Sequence, residues 1–147
     1  MDADFSHDPR YIPDLVARLA SADLVIGSRY VPGGGAVDSP LGRRLISYAA
    51  NFLAHAVLGL RAHDVTAGFR LYRREVLETV PLDSIRSSGY SFLIELLFLV
   101  EQRRWRVAEV PIRFIDRKLG LSKISSNEIR RAMATVGRLG LRRLRGG

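Results

Sequence analysis

Three consecutive apolar residues, Leu24-Val25-Ile26, stand between Asp23 and the small pair Gly27-Ser28. A short continuous apolar run of this kind suits a strand buried on both faces, which requires elements packed on each side of a sheet. Helical patterns flank it. Asp8-Pro9 and Pro13 open a helix whose apolar face includes Leu15, Val16 and Leu19. A second helix starts near Leu41, carries Leu45, Ile46, Ala49, Phe52, Leu53 and Val57 on one side, and closes at Gly59. Further along, 69–72 reads as a strand, 74–80 as a short helix, 92–102 as a strongly apolar helix and 107–114 as a strand. Pro111 puts that strand at an edge or a bulge. Residues 31–40, with Pro32 and Gly33-Gly34-Gly35, read as a loop. Ser125 and Glu128 have capping-box spacing and start a last helix. Strands alternating with helices imply an α/β fold, with a main unit over 1–124 and a basic amphipathic helix over 125–147.

Composition narrows the function. The chain has no cysteine, which excludes disulfides, thiolate metal sites and cysteine nucleophiles. Its most apolar stretches, 49–60 and 92–100, are far shorter than the roughly 20 residues a membrane span needs, and read as buried helices. The net charge of +8 is uneven. Residues 1–112 hold 13 basic and 13 acidic side chains, whereas 113–147 hold 10 and 2. A tail this basic suits an anionic surface or a phosphorylated ligand; the plainer reading is a solvated charged face. In the last helix Ile129, Met133, Val136, Gly140 and Leu144 follow helical spacing, with Arg130, Arg131, Arg138, Arg142 and Arg145 largely off the stripe. This fits an interfacial helix on a membrane surface, or a helix packed on the domain with a basic outer face. Nucleic acid is not expected, because aromatic residues are not interleaved with the basic ones.

Asp2-Ala3-Asp4 places two carboxylates on the same side of an extended segment, within reach of one cation. Oxygen ligands of this type suit Mg²⁺ or Mn²⁺ holding a diphosphate. Cationic groups with polar neighbours follow at Gly27-Ser28-Arg29-Tyr30, at Arg43 and Ser47, in 64–70 (DVTAGFR) and in 114–123 (FIDRKLGLSK). Arg43 and Ser47, four apart, share a helix face near a positive dipole end. Each has a structural alternative: Arg29 on the surface, Arg43 paired with Asp38, Asp64 capping a turn, Arg117 paired with Asp116.

The series DADFSHDP, GSRY, GGG, RxxxSxxANF, DVTAGFRLYR, GYSFxxE and EVPIRFxDRxxGxSK resembles the dolichol- and polyprenol-phosphate mannosyltransferases of glycosyltransferase family 2, over Met1 to about Glu128. The resemblance implies a partial GT-A, Rossmann-like sheet with helices on both faces. It implies inverting, metal-dependent transfer of mannose from GDP-mannose to a polyprenyl phosphate, at the cytoplasmic face of a membrane with peripheral attachment. By the same likeness Asp2 and Asp4 match the metal-binding motif, with Asp4 and Arg117 at the reaction centre. Ser6 stands where some members place a Gln that also touches the metal. Arg29, Arg43 and Ser47 match residues that hold lipid or nucleotide phosphates, and Arg117, Ser122 and Lys123 match a loop that closes over the site. In the family a strand and the nucleotide-binding βα units precede the metal motif; here only Met1 does, so a truncated chain or a misplaced start is expected. A different donor sugar, or a noncatalytic membrane-binding module, are the other readings.

Overall fold

The computed structural model describes residues 6–37, 41–115 and 126–145, without the side chains of Arg43 and Ser126. Asp2, Asp4, Arg117, Ser122 and Lys123 therefore lie outside the described residues.

Strand β1 (Leu24–Ser28) is buried at every position. It pairs in parallel with β4 (Val107–Pro111) and antiparallel with β3 (Arg70–Tyr72), giving the order β3-β1-β4. Side chains alternate across a strand, and β1 accordingly feeds two cores. Leu24 and Ile26 join a large cluster with Ala54, Leu58, Val76, Leu97, Val100, Val136 and Leu139. Val25 joins a smaller one with Leu15, Phe69, Val110 and Ile112. Helix α1 (Ile12–Arg18) thus covers one face of the sheet. The other is covered by α2 (Leu41–Leu58), α3 (Arg74–Thr79), α4 (Tyr90–Gln102) and α5 (Ser126–Arg145). The α/β sheet with helices on both faces is as expected.

The start of β1 is pinned electrostatically. Asp23 accepts bonds from Arg106 at its backbone N (2.9 Å), Nε (3.0 Å) and Nη2 (2.9 Å), and Arg73 stands 3.6 Å away. The Arg106 hydrogen bond, above all, holds the Asp23 carboxyl below the usual carboxylate range.

Four expectations change. Within the supposed loop 31–40, Gly35–Val37 form β2, which pairs in parallel with β5 (Arg113–Ile115). The expected strand 107–114 is two strands: β4 ends at Pro111, which cannot donate to a ladder, and the chain passes through Ile112 into the second sheet. The apolar side of α2, whose 49–60 stretch reads as buried, is largely exposed, and Asn51, Ala54 and Leu58 are buried instead. The stripe assigned to α5 is split: Val136 and Gly140 are buried against the domain, as is Leu139 off the stripe, while Ile129, Met133 and Leu144 are exposed. Helix α5 is thus a working part of the core, closely packed where Gly140 meets Val57.

Gly59 ends α2 as expected. It adopts φ +66°, and its N–H donates to the His55 carbonyl at 2.8 Å.

Candidate active site

At the carboxyl end of β1 the chain turns through Arg29 and Tyr30, where open α/β sheets place their ligands. A cavity of about 920 Å³ opens there between α2, α4, α5 and the 64–69 loop. Arg29, Tyr30, Ser47, Thr66 and Gly68 supply polar atoms to its wall, and Ile46, Ala49, Phe52, Leu93 and Met133 supply apolar surface. A polar end joined to a long apolar flank suits an amphiphile with a charged head.

Arg29 is fixed by Asp64. Its backbone N, Nε and Nη2 donate to the carboxylate at 3.1, 2.8 and 2.8 Å, and Nη2 also reaches Thr66 Oγ1 at 2.9 Å. The Asp64 side chain is wholly buried. Burial works against the Arg29 charge but is outweighed by the hydrogen bond and attraction of Asp64, so the guanidinium is held above its ordinary value. The guanidinium also stands 5.3 Å from the ring centre of Tyr30 and 5.4 Å from that of Phe114. Among the structural alternatives, the surface reading of Arg29 and the isolated turn cap at Asp64 both fail. They form one forked ion pair in the cavity wall.

The loop holding Asp64 is tied down by residues that the sequence argument did not single out. Glu109 on β4 accepts the backbone N–H of His63 (2.9 Å) and of Asp64 (3.0 Å), and stands 2.7 Å from His63 Nδ1. Asn51 accepts the Val65 N–H at 2.8 Å while its amide donates to the Ser47 carbonyl at 2.7 Å. Arg70 donates to the carbonyls of Ala67, Val65 and Leu93, which ties the loop to α4. A side chain that caps backbone N–H groups some 45 residues away leaves no local pattern. The only available signal was the polar residue inside each quoted motif.

Ser47 lines the cavity and accepts a 2.7 Å bond from the Tyr30 hydroxyl. Arg43 lies on the same helix with its side chain outside the described residues. Its neighbour Arg44 lines the cavity. The remaining expected residues fall in undescribed segments whose described neighbours reach this cavity. His7, three residues after Asp4, lines it while packed between the rings of Phe69 and Phe114. Phe114, three residues before Arg117, lines it, as does Glu128 beyond Lys123. Among the described residues no group of three or more His, Asp or Glu is placed to hold a metal ion.

The model of glycosyl transferase family 2 matches residues 1–80. The chain is 45% identical over 141 residues to the undecaprenyl-phosphate mannosyltransferase of Micrococcus luteus, covering 96% of this chain and 58% of that protein. It is 47% identical over 143 residues to the polyprenol monophosphomannose synthase of Mycolicibacterium smegmatis, covering 97% and 54% respectively. The chain thus spans a little over half the length of these relatives. A family match over more than half of the residues, together with the DVTAGFR loop built around the buried Arg29–Asp64 pair, places this chain in glycosyl transferase family 2.

Proposed function

We propose that the polypeptide to which this chain belongs transfers mannose from GDP-mannose to a polyprenyl phosphate, with inversion at the anomeric carbon. The cavity carries this reading: one wall is a charge-bearing rim at Arg29, Tyr30 and Ser47, and much of the remainder is apolar surface from α2, α4 and α5, with Arg44 and Glu128 at its polar points. A polyprenyl phosphate has the same two parts in the same order. An oxygen of the lipid phosphate attacks the anomeric carbon, the bond from that carbon to the diphosphate breaks, and GDP departs. The lipid phosphate is ionised near neutral pH, so no general base is required. The protein supplies alignment and charge compensation.

Arg29, immobilised by Asp64, and Ser47, held by Tyr30, are assigned to the acceptor phosphate, together with Arg43. Arg117, Ser122 and Lys123 are assigned to closing the site over the reacting groups. Asp2 and Asp4 are the residues that would hold Mg²⁺ or Mn²⁺, whose charge would offset that on the departing diphosphate.

Attachment to the membrane surface is part of the same proposal. Leu41, Leu45, Tyr48 and Phe52, spaced four, three and four apart, share one face of α2 and are 81, 71, 64 and 69% exposed. Ile46 and Phe52 belong both to this exposed surface and to the cavity wall. An apolar patch continuous with a lipid-shaped cavity suits an enzyme whose acceptor arrives from a bilayer. No helix among the described residues is long and apolar enough to cross a membrane.

The test is product analysis with the complete source polypeptide, polyprenyl phosphate and either GDP-mannose or UDP-glucose. Mannosyl-phosphoryl-polyprenol formed only with GDP-mannose and a divalent ion is the expected result. A glucosyl lipid would overturn the donor assignment, and no glycolipid with either donor would leave a binding module. Arg117→Lys keeps the charge but loses the bidentate fork, and is expected to abolish most turnover.

A further inference from the structure

The flank of α5 facing away from the acceptor cavity lines a second concavity, of about 360 Å³, that the transfer reaction leaves without a role. Arg131, Thr135 and Arg138, at helical spacing on α5, face Arg86, Ser88 and Ser91 across it. Arg138 is engaged: its Nη2 donates to Glu95 Oε2 at 2.7 Å and to Ser87 Oγ at 3.0 Å. Arg86 and Arg131 form no ion pair or hydrogen bond with any described residue. Two carboxylates stand near it: Glu95, buried and bonded through Oε2 to Arg138 and Ser87 while Oε1 has no hydrogen-bond partner among the described residues, and Glu128, whose Oε1 lies 3.8 Å from where a Cβ at Gly89 would stand. Three guanidinium groups against these two carboxylates leave an excess of one positive charge around a small hollow. One further observation marks it as a place for a ligand. Ser91 is 3% exposed, and its hydroxyl has no hydrogen-bond partner among the described residues although the residue lines the hollow.

We infer that this hollow binds a phosphate group, held by Arg86, Arg131 and Arg138 with the Ser88 and Ser91 hydroxyls as donors. Guanidinium forks and hydroxyl donors match phosphate oxygens. The phosphate can be a free ion or the headgroup of an anionic lipid, which share this chemistry. Occupation would pin α5 to the turn at 88–90. That turn continues into Gly89 and Tyr90, which line the acceptor cavity on the other flank of α5.

The full 147-residue chain, labelled with ¹⁵N, is titrated first with inorganic phosphate and then with vesicles of phosphatidylglycerol or of phosphatidylcholine. Amide shifts are followed at Ser87, Ser88, Ser91 and Thr135. Arg86→Gln/Arg131→Gln removes two exposed, unpaired cations and leaves the Arg138–Glu95 pair in place. Arg142→Gln/Arg145→Gln is the charge-matched control. Saturable shifts at these amides, weakened at least tenfold by the first pair of substitutions and not by the control, are expected. A response to phosphate identifies a free-ion site, and a response only to phosphatidylglycerol vesicles identifies a headgroup site; either supports the inference. It is overturned if no anion moves these amides, or if the double variant responds like the parent. Neither outcome depends on sugar transfer, so failure here leaves the proposed reaction standing.

Discussion

Helices α4 and α2 are both rich in large apolar side chains, and the fold treats them in opposite ways. In α4 the run from Ile94 to Val100 is buried without a break, including Glu95, whose charge is met by Arg138 and Ser87. In α2 only the last two turns reach the core, through Asn51, Ala54 and Leu58, while the first three turns present Leu41, Leu45, Tyr48 and Phe52 outward. Apolar content alone does not separate a core helix from a surface helix. The difference lies in what accompanies it. Glu95 and Glu101 of α4 find partners within the domain, whereas the exposed face of α2 borders the cavity at Phe52. The first pattern serves stability and the second suits recognition of a lipid.

Substitutions can break this comparison. Asp64→Ala leaves Arg29 buried without its carboxylate, and unfolding measurements are expected to show a loss of about 3–5 kcal/mol, with collapse of acceptor binding. Leu97→Ala in α4 opens a hole in the main core and is expected to cost about 2–5 kcal/mol by denaturant titration. A smaller effect tests the pinning of β1. The Asp23 carboxyl is held below its ordinary value by Arg106, so its contribution is complete above the unfolded pKa and lost as pH falls through the folded one. The melting temperature of Asp23→Asn is therefore expected to fall less steeply than that of the parent between about pH 5 and pH 3. The smallest effect on stability belongs to α2. Leu45→Ser/Phe52→Ser is expected to stay within about 0.5 kcal/mol of the parent per site while losing flotation with anionic vesicles. A stability loss as large as that of Leu97→Ala would mean that α2 is a core helix after all.

Much of the framework was legible in the chain because it rests on local pattern. The unbroken run Leu24-Val25-Ile26 implied a doubly covered strand, and Gly59 marked a helix end that its positive φ confirms. Strand β2 was hidden in a glycine-rich segment, since three residues paired to a distant partner carry no periodicity of their own. The face of α2 was misread because periodicity reports an apolar side and not what covers it. At the site, Arg29 and Ser47 stand in the cavity wall. Glu109, Asn51 and Arg70 were missed, because their work is to bind backbone groups brought near only by the fold. Asp2, Asp4, Arg117, Ser122 and Lys123 rest on the resemblance and on the described neighbours that reach the cavity.

The central claim is that the cavity at Arg29, Tyr30 and Ser47 receives the polyprenyl phosphate. Photolabelling of the 147-residue chain with a short polyprenyl phosphate carrying a diazirine in its isoprenoid part, followed by peptide mapping, tests it directly. Labelling within 46–53 of α2 and 129–133 of α5, competed by unlabelled polyprenyl phosphate and not by the corresponding alcohol, is the expected result. Labelling confined to other surfaces, or competed equally by the alcohol, would contradict the account.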